Sequence, residues 1–295
     1  MADTPSVTLI GTVPGVRGER VACGPTRRWA AAERRLVMLD GAAMLTAPRA
    51  LDGLLRFSAS GDALLAGTER LDLPAGAWAA LADPRPAVAD GDAELEVITA
   101  AWDAEGETLA VAAQRRPVRR AGAGASSVAE PTAWLTLLDG RARTALRPLW
   151  HGRSGVPSHV AVEGGVIAAD VDARACVWVG DEELTPDAGA VIGLALGDEG
   201  RVLAVVGLDG AVSIWHGPRF RDGLPAGGGA QGAVAVAAAA PVVAWARADG
   251  AAVWAGGETA VLRAPAIRAL ALDSDGTRLV ALDVASTLYD ATIVR

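Results

Sequence analysis

The chain has 295 residues, 51% hydrophobic but only 4% aromatic, and 27 basic against 35 acidic side chains leave a net charge of −8. That length suits one large domain or two small ones. Every basic side chain besides histidine is an arginine, and lysine and asparagine are absent, which excludes a phosphate-loop lysine, a Schiff-base lysine, a kinase-type ATP lysine and any N-glycosylation acceptor. Cys23 and Cys176 are too few for a disulfide framework or a four-thiolate zinc site and read as small buried hydrophobes. Met1-Ala2-Asp3-Thr4-Pro5 lacks the basic-then-apolar pattern of a secretory leader. The longest charge-free apolar run, Gly232 to Ala246, contains Pro241 and falls short of the roughly 20 residues of a bilayer crossing. A soluble cytoplasmic protein is expected, and the scarcity of Lys, Asn and Ile beside abundant Ala, Gly and Arg fits a GC-rich bacterial genome.

In chain order, the first element is Ser6-Val-Thr-Leu-Ile-Gly-Thr-Val13, a β-rich segment with no hairpin partner beside it. A degenerate unit, Arg28 to Leu39, follows. Then comes a recurring pattern of an apolar residue, small or acidic residues, Gly, two variable positions and an apolar run. It stands at Phe57-Ser-Ala-Ser-Gly61-Asp-Ala-Leu64, Trp102-Asp-Ala-Glu-Gly106-Glu-Thr-Leu109, Leu196-Gly-Asp-Glu-Gly200-Arg-Val-Leu203 and Leu272-Asp-Ser-Asp-Gly276-Thr-Arg-Leu279. Each reads as a hairpin whose glycine supplies the turn. The glycines are 45, 94 and 76 residues apart, so two incomplete units belong between them. Val160 to Ala169, turning at Gly164-Gly165, is one. Ala233 to Val236 followed by Pro241 to Trp245 is the other.

A second marker runs in phase with the first. Asp172 precedes Trp178, Asp209 precedes Trp215, Asp249 precedes Trp254 and Asp283 precedes Tyr289, with the aromatics 37, 39 and 35 residues apart. Seven units of about 40 residues, each of three or four short strands, make a seven-bladed all-β propeller as a single domain over 1–295. The segment Val191 to Trp215 resembles the WD40 repeat strand for strand, so the chain resembles a divergent WD40-like propeller. The family's Gly-His pair is absent, and Asp170, Gly207, Arg247 and Ala281 stand where it places Ser or Thr two residues before the turn Asp. Packing is therefore expected to outweigh the family's polar network. The last unit, Ile267 to Arg295, has room for three strands, and Ser6 to Val13 is expected to close the ring as its fourth.

Reactive chemistry is sparse. His151 and His159 flank a turn-rich connection and make a weak metal pair, while His216 ends a strand. Asp103, Glu105, Asp198, Glu199, Asp273 and Asp275 read as solvated hairpin tips. Arg153-Ser154-Gly155 is no nucleophile elbow, and Gly227-Gly228-Gly229, with no lysine after it, is no phosphate cradle. Residues 114–131 form an insertion in the third unit whose Arg115, Arg116, Arg119 and Arg120 can grip carboxylates or phosphates. The net charge argues against nucleic acid as the main ligand. The expectation is a non-enzymatic interaction platform or recruiting subunit for an acidic protein partner, with no cofactor, metal, membrane or small-molecule substrate. The alternative is a hydrolase or lyase working at the channel mouth.

Overall fold

The computed structural model describes residues 4–41, 43–89, 94–116, 132–153, 155–217, 219–221 and 223–295. Seven four-stranded antiparallel sheets stand in a ring, each a meander whose first strand faces the central axis. Those first strands are Arg20–Cys23, Leu55–Phe57, Leu95–Trp102, Val160–Glu163, Val191–Gly197, Ala230–Val236 and Ile267–Leu272. The recurring glycines sit where the sequence places them, with φ of 73° at Gly61, 70° at Gly106, 82° at Gly200 and 66° at Gly276. Ser6–Val13 is the outer strand of the seventh blade, running from Ser6 opposite Val294 to Val13 opposite Leu288.

Period-two alternation explains the core. In the second strand of the fifth blade, Val202, Ala204 and Val206 pack against the sixth blade, while Leu203 and Val205 pack against the fourth. A strand buried on both faces needs an unbroken apolar run, and the Ala, Val and Leu of the second strands supply it. Among the described residues seven apolar clusters form, one at each junction between neighbouring blades.

Several local features differ from the sequence reading. The first blade begins at Arg20, and the segment read as its opening unit is the hairpin of Trp29–Glu33 with Leu36–Leu39, so the inner strand lies before it. A short helix, Arg85–Val88, packs on the third blade, its Val88 carbonyl accepting from Thr136 Oγ1 at 3.3 Å. The turn acids are not simply solvated. Asp103 accepts from the Glu107 and Thr108 amides and the Thr108 hydroxyl. Asp273 does the same with Thr277 and the Arg278 amide. Asp198 is buried. The Asp103 and Asp273 carboxylates clamp their own hairpins because a tight turn leaves amides with no strand partner.

Polar contacts also tie blades together. Arg278 grips Asp290 through Nε and Nη2 at 2.7 and 2.9 Å and donates to the Arg27 and Arg28 carbonyls of the first blade. Arg56 of the second blade donates to the Trp102 carbonyl and lies 2.9 Å from Glu163 of the fourth. Burial pushes the Glu163 carboxyl up while Arg56 opposes the shift. At the second junction Gly53 has φ +121°, and a Cβ there would sit 2.1 Å from the Ala100 carbonyl oxygen. Gly53→Ala is therefore expected to cost at least about 1–3 kcal/mol, read by urea unfolding. A stability equal to that of the parent would show that the junction yields freely.

Candidate functional site: the mouth of the central channel

The first strands enclose a channel of about 740 Å³. They all run in one sense, so their opening residues share one mouth and their closing residues the other. At the opening mouth stand Glu19, Arg20, Asp52, Gly53 and Leu54, then Ser158, His159, Gln231 and Arg268. The middle is apolar, lined by Leu55, Leu194, Val234 and Leu270. The far mouth carries Ser58, Asp273, Ser274 and Asp275.

Strand bulges shape the opening mouth. Ile98 is an extra residue between Val97 and Thr99, which pair with Ala113 and Ala112. Ile192 and Arg268 are inserted in the same way in the fifth and seventh blades. In the sixth, Ala230 pairs with Arg247 and Val234 with Trp245, which leaves Gln231, Gly232 and Ala233 opposite Ala246 alone. All these inserted residues line the channel. A bulge leaves a residue outside the ladder and re-aims its side chain, and here four blades do so into one cavity.

The mouth's polar groups are partly engaged. His159 Nδ1 lies 3.1 Å from Asp170 Oδ2, while Asp170 Oδ1 accepts from the Ser158 and His159 amides at 2.7 Å each. Asp170 thus anchors the start of the fourth blade, so a polar network does operate in this blade. A related one occurs in the seventh, where Tyr289 donates to the buried Asp283. Arg20 donates to the Gly53 carbonyl at 3.3 Å and pairs loosely with Glu19 at 3.8 Å. Asp52 is pushed up from the ordinary carboxylate range by burial, with Arg20 opposing and Glu96 and Glu19 adding to the shift.

The other sequence candidates are dispersed. Arg115 ends the second strand of the third blade, Thr108–Arg115, and its guanidinium lies over the Trp134 ring at 5.7 Å. It is a strand residue with a packing role, and the connection begins after it. Arg116 is exposed, its amide donating to the Glu94 carbonyl. Arg119 and Arg120 lie outside the described residues. His151 is exposed opposite Trp134, and His216 lies against Trp254 at 5.4 Å. Among the described residues no three His, Cys, Asp or Glu side chains gather to hold a metal. Both cysteines are free and buried, and burial raises the Cys23 thiol to about 12, which suppresses its thiolate.

Sequence reasoning missed Ile98, Ile192, Gln231 and Arg268 because a bulge exists only in the pairing of two strands. Scanned against models of known protein families the chain matches none, and no curated protein matches it either. No helix among the described residues is long and apolar enough to cross a membrane.

Proposed function

We propose that the protein is a non-enzymatic interaction platform, a divergent WD40-like propeller of the bacterial cytoplasm that recruits an acidic protein partner through the face around the opening mouth. One observation carries this reading. Arg115 and Ala133, the strand ends that flank the arginine-bearing segment, stand on the same face as Leu54, Leu208 and Val284, apolar side chains that stay 40%, 72% and 62% exposed. Leu208 and Val284 sit at turns between second and third strands, where folding asks only for a tight reversal. Apolar and cationic groups on the loops of a stiff ring form a surface suited to a partner.

The test uses two variants, Leu208→Asp with Val284→Asp, and Arg116, Arg119 and Arg120 together changed to Ser. Arg115 is kept because it packs on Trp134. Each variant is expected to weaken capture of the native partner while leaving the melting temperature within a few degrees of the parent, and the arginine variant to flatten the salt dependence. Capture that survives both, at low and moderate salt, moves the binding surface elsewhere.

The enzymatic alternative rests on His159, whose ring is oriented by a buried carboxylate as a general base would be. It requires His159→Gln to abolish a turnover at the channel mouth. The platform reading requires that variant to alter stability alone.

A further inference from the structure

We propose that the opening mouth of the channel is also a binding site for a small organic monocarboxylate. Arg268 and Arg20 on adjoining blades hold its carboxylate, and Ile192 and Ile98 receive its apolar body. This site opens onto the face proposed for the partner, but its support does not depend on that reading.

The first support is the bulges. The first strands of the first, second and fourth blades pair regularly, so the ring itself does not demand the insertions. Four blades nevertheless give up ladder pairing at one level to place Ile98, Ile192, Gln231 and Arg268 in one cavity. Loss of pairing repeated in this way is explained by what it delivers there.

Charge is the second support. An arginine stays protonated and only donates, so one at a site mouth without an ion pair can receive an anion. Among the described residues the side-chain partner of Arg268 is the neutral Ser286 hydroxyl at 3.3 Å, and no carboxylate lies within 4.0 Å of it. Arg20, on the neighbouring blade, donates to the Gly53 carbonyl and feels the Asp52 charge, but among the described residues its one ion pair within 4.0 Å is the loose Glu19 contact, and that carboxylate is 64% exposed. Two guanidinium groups are therefore available to a carboxylate, and Gln231 lines the same cavity.

The remaining lining defines the rest of the ligand. Ile192 stands at the level of Arg268, and deeper in the channel the wall is Leu194, Val234 and Leu270, which favours an apolar body. Asp52, with Glu19 and Glu96 near it, repels a second negative charge. This selects a monoanion over a dicarboxylate. The channel volume of about 740 Å³ is in the range of small-molecule sites.

The experiment titrates the full chain with phenylacetate, phenylacetamide, phenethylammonium and phenylsuccinate by calorimetry. Phenylacetate is expected to bind at least about tenfold more tightly than the other three. Arg268→Gln is expected to lose that preference at an unchanged melting temperature, and Ile192→Ser to weaken phenylacetate and phenylacetamide alike. A free acid and a peptide's C-terminal residue offer the same chemistry. Ala-Ala-Ala-Leu titrated beside phenylacetate separates them, the tighter of the two naming the source. Preferential binding of phenethylammonium would assign the mouth to a cation at Asp52 and overturn the proposal. Equal affinity of phenylacetate for Arg268→Gln and the parent, or no heat from any probe up to about 10 mM, would overturn it as well.

Discussion

Deleting residues 1–13 is expected to make the protein aggregate or to lower its melting temperature more than any single substitution does. Ser6–Val13 covers the edge of Leu288–Val294, and without it that strand would present a row of unpaired amides and carbonyls. The loss reaches the core too, because Val7 packs into the sixth-to-seventh cluster and Val13 into the seventh-to-first. Thermal unfolding and gel filtration measure the effect. A truncated chain that melts and elutes like the parent would show that the ring holds without its closing strand. The register suggests a rescue, since Ser6 lies opposite Val294 and the first strand starts where the last one ends. Moving 4–13 behind Arg295 through a short turn should restore both properties, because the strand then pairs at the same edge.

Trp102→Ala and Trp215→Ala are each expected to cost about 3–5 kcal/mol, through lost burial and the cavity left behind. Their rings are 1% and 2% exposed. Trp215 lies over Gly223 of the outer strand, where a Cβ would come within 2.7 Å of the ring, so the space is already fitted to an indole. Trp102 carries more. Its Nε1 donates to the Gly67 carbonyl at 2.8 Å across the blade junction, and the Arg143 guanidinium lies 5.0 Å from its ring centroid. Burial lowers the Arg143 pKa to about 10, the mark of a cation held away from water. Trp102→Phe should keep most of the packing and lose the hydrogen bond, at about 1 kcal/mol. Chemical denaturation orders the three variants. A fully stable Trp215→Ala that fails only in binding a partner would move that side chain from the core to the surface.

Much of the architecture is local enough to be legible in one sequence. The glycines at 61, 106, 200 and 276 turn their hairpins wherever the blade stands, because the positive φ is a property of the turn itself. The candidate site was far less legible. His159 was readable only as one of a dispersed pair, and its bond to Asp170 depends on how the first strand of the fourth blade meets the second. Arg115 read as part of a solvated loop, whereas strand pairing carries it onto Trp134. The carboxylates at Asp103 and Asp273 read as exposed tips, although their hydrogen bonds to the amides that follow are already implicit in the turns.

By itself, then, the sequence determined the number of blades, the turns between their strands and the identity of the closing strand. Each follows from period-two alternation, from glycine conformation or from a strand left without a neighbour, and none needs knowledge of the rest of the ring. Tertiary structure alone decided where chemistry could gather. Arg20, Asp52, His159, Ile192, Gln231 and Arg268 are spread over almost 250 positions and share one mouth only because seven first strands run side by side around an axis. The bulges that aim four of the lining side chains depend on a register between two strands, a relation that no single segment contains.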